Sequence, residues 1–72
     1  MRPKPGIYRH FKGNEYKVIG VAKHSEIEEE LVVYRALYGE KALWVRPIKM
    51  FLGDVERDGY KGPRFAWVRE EE

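Results

Sequence analysis

Cysteine is absent from this sequence, and its absence removes three options together. Disulfides, thiolate metal centres and a cysteine nucleophile are all excluded. That matters in a chain of 72 residues, because a domain this short buries only about 60% of the surface its unfolded chain exposes. Many domains of that size lean on a disulfide or a metal. Long hydrophobic runs are missing too. No segment approaches the roughly 18 apolar residues of a membrane span, and no early apolar run resembles a signal peptide. The expected location is the cytoplasm, with no membrane partner. Internal repeats are absent, and so are the spacings H-x-H, H-E-x-x-H and Gly-x-Ser-x-Gly. No RNP, KH or helix-turn-helix signature is present, and no cofactor motif.

Aromatic residues take the place of staples. Two tryptophans, five tyrosines and three phenylalanines supply large rings for a small core. Charge is unevenly spread. The net charge is +2, but residues 1–24 carry +5, residues 25–30 carry −4, residues 31–50 carry +3 and residues 51–72 carry −2. Acidic groups gather at residues 25–30 and within residues 51–72. Much of the remaining surface is positive and admits an anionic partner, although a mixed solvated surface also satisfies this pattern.

Local signals predict a single all-β domain with its core at about residues 6–68 and loose ends at 1–5 and 69–72. The stretch "GIYRHFKGNEYKVIGVAKH" reads as a hairpin with strands at Ile7–Phe11 and Tyr16–Lys23, turning at Gly13-Asn14. That register sets His10 opposite Lys17. Strict alternation then groups Tyr16, Val18, Gly20 and Ala22 on one face, with Gly20 marking a close crossing or a bend. "SEIEEELVVYRALYG" has a capping-box pattern at Ser25 and Glu28, and helical spacing at Ile27, Leu31, Tyr34 and Tyr38. The β-branched, aromatic run "LVVY" and the Gly39 turn before "ALWVRP" weigh more. The reading is therefore an acidic loop at Ser25–Glu30 and a strand at Leu31–Leu37. Pro47 opens one short helical turn near 47–52. "ERDGYKGPRF" reads as loop and "RFAWV" as the last strand. About five short strands and one helical turn define a small antiparallel SH3-like barrel.

"GIYRHFKGNEYKVIGVAKHSE", "LVVYRALYG", "LWVRPIKMF" and "GPRF" together resemble the bacterial DUF1653 family, small domains of unknown function. The likeness covers about Gly6 to Phe65, with several motifs in the same order. It implies an SH3-type barrel and implies no activity. One departure is visible. The family pattern reads His-Ser-Glu-Thr, and Ile27 stands at the threonine position. A turn-closing role for that position would let Ile27 pack instead.

The candidate ligand-binding residues are Arg9, His10, His24, Ser25, Glu26, Tyr34, Arg35, Trp44, Arg46 and Arg64. His24, Ser25 and Glu26 are adjacent, so in extended chain they point to alternate sides rather than converging as a triad. They read as a turn in which Ser25 or Glu26 caps backbone N–H groups. His10 and His24 lack metal-ligand spacing, and no metal is expected. Arg9, Arg35, Arg46 and Arg64 each sit beside an aromatic residue or within an apolar strand. Such arginines pair, stack or face solvent. The bland expectation pairs them with Glu26, Glu28 or Asp54. The functional one is a basic, ring-lined face that binds an anion. Trp44 and Trp67, flanked by apolar residues, read as core more than as ligand platform, although "WVRP" also sets Trp44 at a rim beside Arg46. The residues favour a non-catalytic binding or interaction module over an enzyme. Its partner is left open between a protein and an anionic ligand; a nucleic-acid-binding accessory is the alternative reading, and a small His/Glu metal-dependent enzyme centred on His24 and Glu26 is the weakest.

Overall fold

Seven strands and one short helix make up the computed structural model, which describes residues 2–70. They are β1 (Gly6–His10), β2 (Glu15–Lys23), β3 (Glu30–Ala36), β4 (Leu43–Pro47), α1 (Ile48–Phe51), β5 (Asp54–Arg57), β6 (Tyr60–Pro63) and β7 (Phe65–Arg69). Five strands form one antiparallel sheet in the order β4-β3-β2-β1-β7, and β5 pairs with β6 in a separate hairpin. The all-β class and the helical turn near 47–52 are as expected. The polar run after His24 is loop and the apolar run after it is strand, so β-branching outweighed the capping-box pattern. Met1, Glu71 and Glu72 lie outside the described residues, and with them part of the expected loose ends. In the leader, Pro3 is buried. Its neighbour Lys4 accepts the Tyr8 hydroxyl on its carbonyl at 2.9 Å and lays its ammonium 4.2 Å from the Trp67 ring.

The sheet is strongly curled, and the rings show it. In the sheet order β3 and β7 are three strand spacings apart, about 14 Å in a flat sheet. Yet the rings of Tyr34 on β3 and Phe65 on β7 lie 5.5 Å apart. Phe51 of α1 lies against both, stacked on Phe65 at 4.2 Å with an interplanar angle of 8° and tilted against Tyr34 at 5.5 Å. Hydrogen bonding runs from β4 to β7 and ends at those two strands. The curl is therefore held by side chains that meet across the concave face. Tyr8, Val18, Val32, Tyr34, Phe51 and Phe65 form the buried cluster, with Tyr16 and Ile48 packed beside it.

Local chemistry departs from the expected pattern in four places. The first hairpin turns at Phe11-Lys12, because the N–H of Gly13 reaches the carbonyl of His10 at 2.7 Å and Gly13 takes φ of 110°. A tight turn followed by a left-handed glycine is a common three-residue hairpin loop. It sets Lys17 opposite Ile7, and His10 beside the turn instead of opposite Lys17. In β2 a bulge falls between Val18 and Gly20. The extra residue returns Val21 to the face of Val18, since these two pair with Val32 and Tyr34. Gly20 thus marks a bend. A Cβ there would meet nothing within 4 Å, so no neighbour crosses closely. Third, "ERDGYKGP" is a hairpin instead of a loop. Asp58 and Gly59 both take positive φ, 54° and 84°, the geometry that Asp-Gly supplies to a two-residue turn. Finally, Trp44 is 52% exposed and Trp67 38% exposed, so neither is core. Trp44 lies on an edge strand, where apolar neighbours in sequence do not bring cover.

Removing the ring that joins helix to sheet tests this packing. Phe51→Ala is expected to cost about 3–5 kcal/mol, most of the stability of a domain this small. Urea denaturation followed by tryptophan fluorescence measures it. Ile27→Ala, at a side chain 65% exposed, is the control and is expected to stay within about 0.5 kcal/mol.

Candidate functional site: an arginine and aromatic face

Alternation along each strand decides which side chains enter the concave face. β3 sends Val32, Tyr34 and Ala36 inward, and these are its buried residues. Cross-strand pairing then assigns β4, since Tyr34 faces Trp44 and Val32 faces Arg46. β1 contributes Tyr8 and, at its end, His10, which pairs with Phe65 of β7. β2 contributes Tyr16, opposite Tyr8 and Ala36. Arg64 precedes Phe65, where its backbone N–H donates to the Gly53 carbonyl at 3.0 Å.

The rings touch one another. The His10 ring lies 5.0 Å from Phe65 and 6.3 Å from Tyr16. Tyr16 meets Tyr34 at 5.4 Å, Phe65 at 5.7 Å and Tyr38 at 5.6 Å, all edge to face, the arrangement the ring quadrupole favours. The hydroxyls of Tyr16 and Tyr38 share a hydrogen bond of 2.7 Å. Burial, then that bond, pushes the Tyr16 phenol up to about 12, so it stays protonated and available as a donor. Arg46 donates from Nε to the Tyr34 hydroxyl at 3.3 Å and lays its guanidinium 5.8 Å from the Phe65 centroid.

Two cations here have no counter-charge among the described residues. The ion pairs among the described residues are Arg2–Glu30, Arg9–Glu15 and Arg69–Glu15. None involves Arg46 or Arg64. The Nε of Arg64 is buried and has no hydrogen-bond partner, which is costly for an always-charged group. His10 feels the same field. Burial first, then Arg46, Arg64 and Lys12, hold its imidazole below the ordinary histidine range. Its Nδ1 accepts the Lys12 N–H at 3.2 Å, so the neutral ring carries its proton on Nε2.

Of the residues singled out in the sequence, the fold gathers His10, Tyr34, Trp44, Arg46 and Arg64. It separates the rest. Arg9 lies on the opposite face of β1 and pairs with Glu15 at 3.0 Å. Arg35 alternates away from Tyr34 and donates to the Lys41 carbonyl at 2.9 Å. The expected pairing of these arginines with Glu26, Glu28 or Asp54 does not occur among the described residues. His24, Ser25 and Glu26 close the turn after β2, but the cap is the imidazole rather than Ser25 or Glu26. His24 Nδ1 accepts the N–H groups of Glu26 at 3.1 Å and Ile27 at 3.4 Å. Ile27 faces solvent and does not pack in place of the family's threonine. Among the described residues no three His, Asp or Glu side chains converge as metal ligands. Tyr16, Tyr38 and Phe65 were missed in the sequence. Their signal is the strand register, which the hairpin turn and the bulge shift.

These features define a class, a small antiparallel β domain whose concave face combines arginines with rings. The chain belongs to the DUF1653 family, described as a protein of unknown function, which matches residues 6–67. It is similar to a solved protein of that family from Bordetella bronchiseptica, with 33% identity over 97% of this chain and 92% of that one, and a TM-score of 0.86. No curated protein matches. Among the described residues, no helix is long and apolar enough to cross a membrane.

The position of His10 has a pH consequence. Its folded-state affinity for a proton is below that of the unfolded chain, so protonation favours unfolding. The stability this neutral ring secures is present above about pH 6.5, the ordinary histidine value, and is lost as pH falls toward the lowered folded value. Melting temperatures between pH 7.5 and 5 are therefore expected to fall more steeply for the wild type than for His10→Gln. Parallel profiles would contradict the assignment.

Proposed function

We propose that this chain is a non-catalytic binding module whose concave face takes an anionic ligand between Arg46, Arg64 and His10. The observation that carries this reading is the Nε of Arg64, buried without an acceptor, with a second arginine that makes no ion pair among the described residues acting on the same histidine. An anion with several acceptor oxygens completes that set, since a guanidinium forms its strongest hydrogen bonds to carboxylate or phosphate. The surrounding rings of Phe65, Tyr16 and Tyr34 lower the local dielectric and strengthen the attraction. In support of a binding role over catalysis, the His-Ser-Glu segment that most resembles a reactive set is engaged in closing a turn, with His24 Nδ1 occupied by two backbone donors. A cysteine-free chain also fits a reducing compartment, the bacterial cytoplasm in this reading.

Inorganic phosphate tests this site. Titrated at constant ionic strength, it is expected to shift the His10 ring resonances saturably and to raise the His10 pKa, because a bound anion offsets the two guanidinium charges. Arg46→Met and Arg64→Met are expected to remove most of that response. A His10 signal that phosphate leaves unmoved, in protein shown to be folded, contradicts the proposal.

A further inference from the structure

Beside the cationic site lies a hollow of about 210 Å³, lined by Ala36, Tyr38, Gly39, Glu40, Lys41, Ala42 and Trp44. It is below the roughly 300–1,000 Å³ of a drug-sized pocket and suits a single ring system. Two aromatic side chains border it, and both are exposed, Tyr38 at 43% and Trp44 at 52%. The charges on its rim, Glu40 and Lys41, offset each other.

Position links the hollow to the arginines. Trp44 and Arg46 are two residues apart on β4, so they share the concave face about 6.6 Å from each other. Tyr34 lies opposite Trp44 and holds Arg46 through its hydroxyl. Tyr38 is joined to Tyr16 by their hydroxyls, and Tyr16 packs on Phe65, over which Arg46 lies. Crossing the face from the hollow therefore meets exposed rings, then Arg46, then the Phe65 and His10 rings, with the Arg64 charge close enough to act on His10. Rings alternate with cations.

We infer that the ligand of this face is a single-stranded nucleic acid, with one base seated between Tyr38 and Trp44 and a neighbouring phosphate held by Arg46. The inference rests on the anion-binding reading above and names the ligand class. A nucleic acid strand alternates ring and anion as the face alternates ring and cation. Every base has a flat face to stack, so the platform needs no sequence-specific donors. An acidic peptide supplies the charge without a regular supply of rings. A duplex hides its bases and presents no free ring to the hollow.

The full chain is tested with 5′-labelled eight-nucleotide oligo-uridine and oligo-thymidine, the same length of duplex, and a glutamate-tyrosine peptide of matched charge. Fluorescence anisotropy gives affinity, and the Trp44 indole N–H resonance reports the hollow. Single strands are expected to bind more tightly than the duplex and the peptide and to shift the Trp44 signal. Trp44→Ala is expected to weaken binding by roughly 5- to 150-fold, the range for losing one stacked base, with Trp44→Phe restoring most of it. Arg46→Met is expected to flatten the salt dependence by about 0.7 in log–log slope, one phosphate contact on a single strand. If phosphate moves His10 but single strands do not bind at low salt, the nucleic-acid inference is overturned and the anion site stands. The same holds if the peptide binds more tightly, or if Trp44→Ala, folded, binds unchanged. If neither phosphate nor strand moves His10, both readings fail.

Discussion

Phe51 stacked on Phe65 is the contact on which the rest of this molecule depends. The two rings lie parallel at 4.2 Å, one from the short helix and one from the last strand. Tyr8 and Tyr34 lean against Phe51 from β1 and β3 at 5.4 and 5.5 Å. With no cysteine to form a disulfide, this ring cluster is what draws distant strands toward one another. The curvature it imposes is also what makes a face. A flat sheet of the same sequence would hold Arg46 on β4 far from His10 on β1, and neither would sense the other.

The same cluster explains why the charges on the face remain unsatisfied. Guanidinium groups packed over rings lose water but keep their charge. Outside the concave face, arginine finds ordinary partners. Arg9 and Arg69 share Glu15, and Arg2 reaches Glu30. Inside it, Arg46 finds a tyrosine hydroxyl and Arg64 finds no acceptor for its Nε. A small domain that keeps two such groups next to a histidine of lowered basicity gives up stability there. Functional sites are where such local concessions concentrate.

How much of this was legible in the sequence depended on the range of the signal. Strand composition was a local property, and it placed the all-β class, the hairpin and the strand at Leu31–Leu37. The helical turn followed from Pro47. What failed depended on register. Moving the first turn from Gly13-Asn14 to Phe11-Lys12 changed which residue faces Lys17, and one extra residue at Ile19 exchanged the faces of the second half of β2. Exposure of Trp44 followed from β4 being an edge strand, a fact of sheet order that no window of sequence contains. The Asp58-Gly59 hairpin was readable, since both residues suit positive φ, but its flanking strands are short and polar. Of the site, Tyr34, Trp44, Arg46, Arg64 and His10 were chosen from their neighbours in sequence. Tyr16, Tyr38 and Phe65 needed the fold to bring them in. The His-Ser-Glu segment carried the strongest chemical suggestion, and it proved to be a backbone cap made by an imidazole.

The anion-binding face can be checked by a map of amide and side-chain chemical-shift changes on adding phosphate and then a short single strand. The largest changes are expected at His10, Tyr34, Arg46 and Arg64, including the Arg64 Nε–H, and, with the strand, at Tyr38 and Trp44. Changes centred instead on the His24–Glu28 turn, or on the outer face around Arg9 and Arg35, would contradict it.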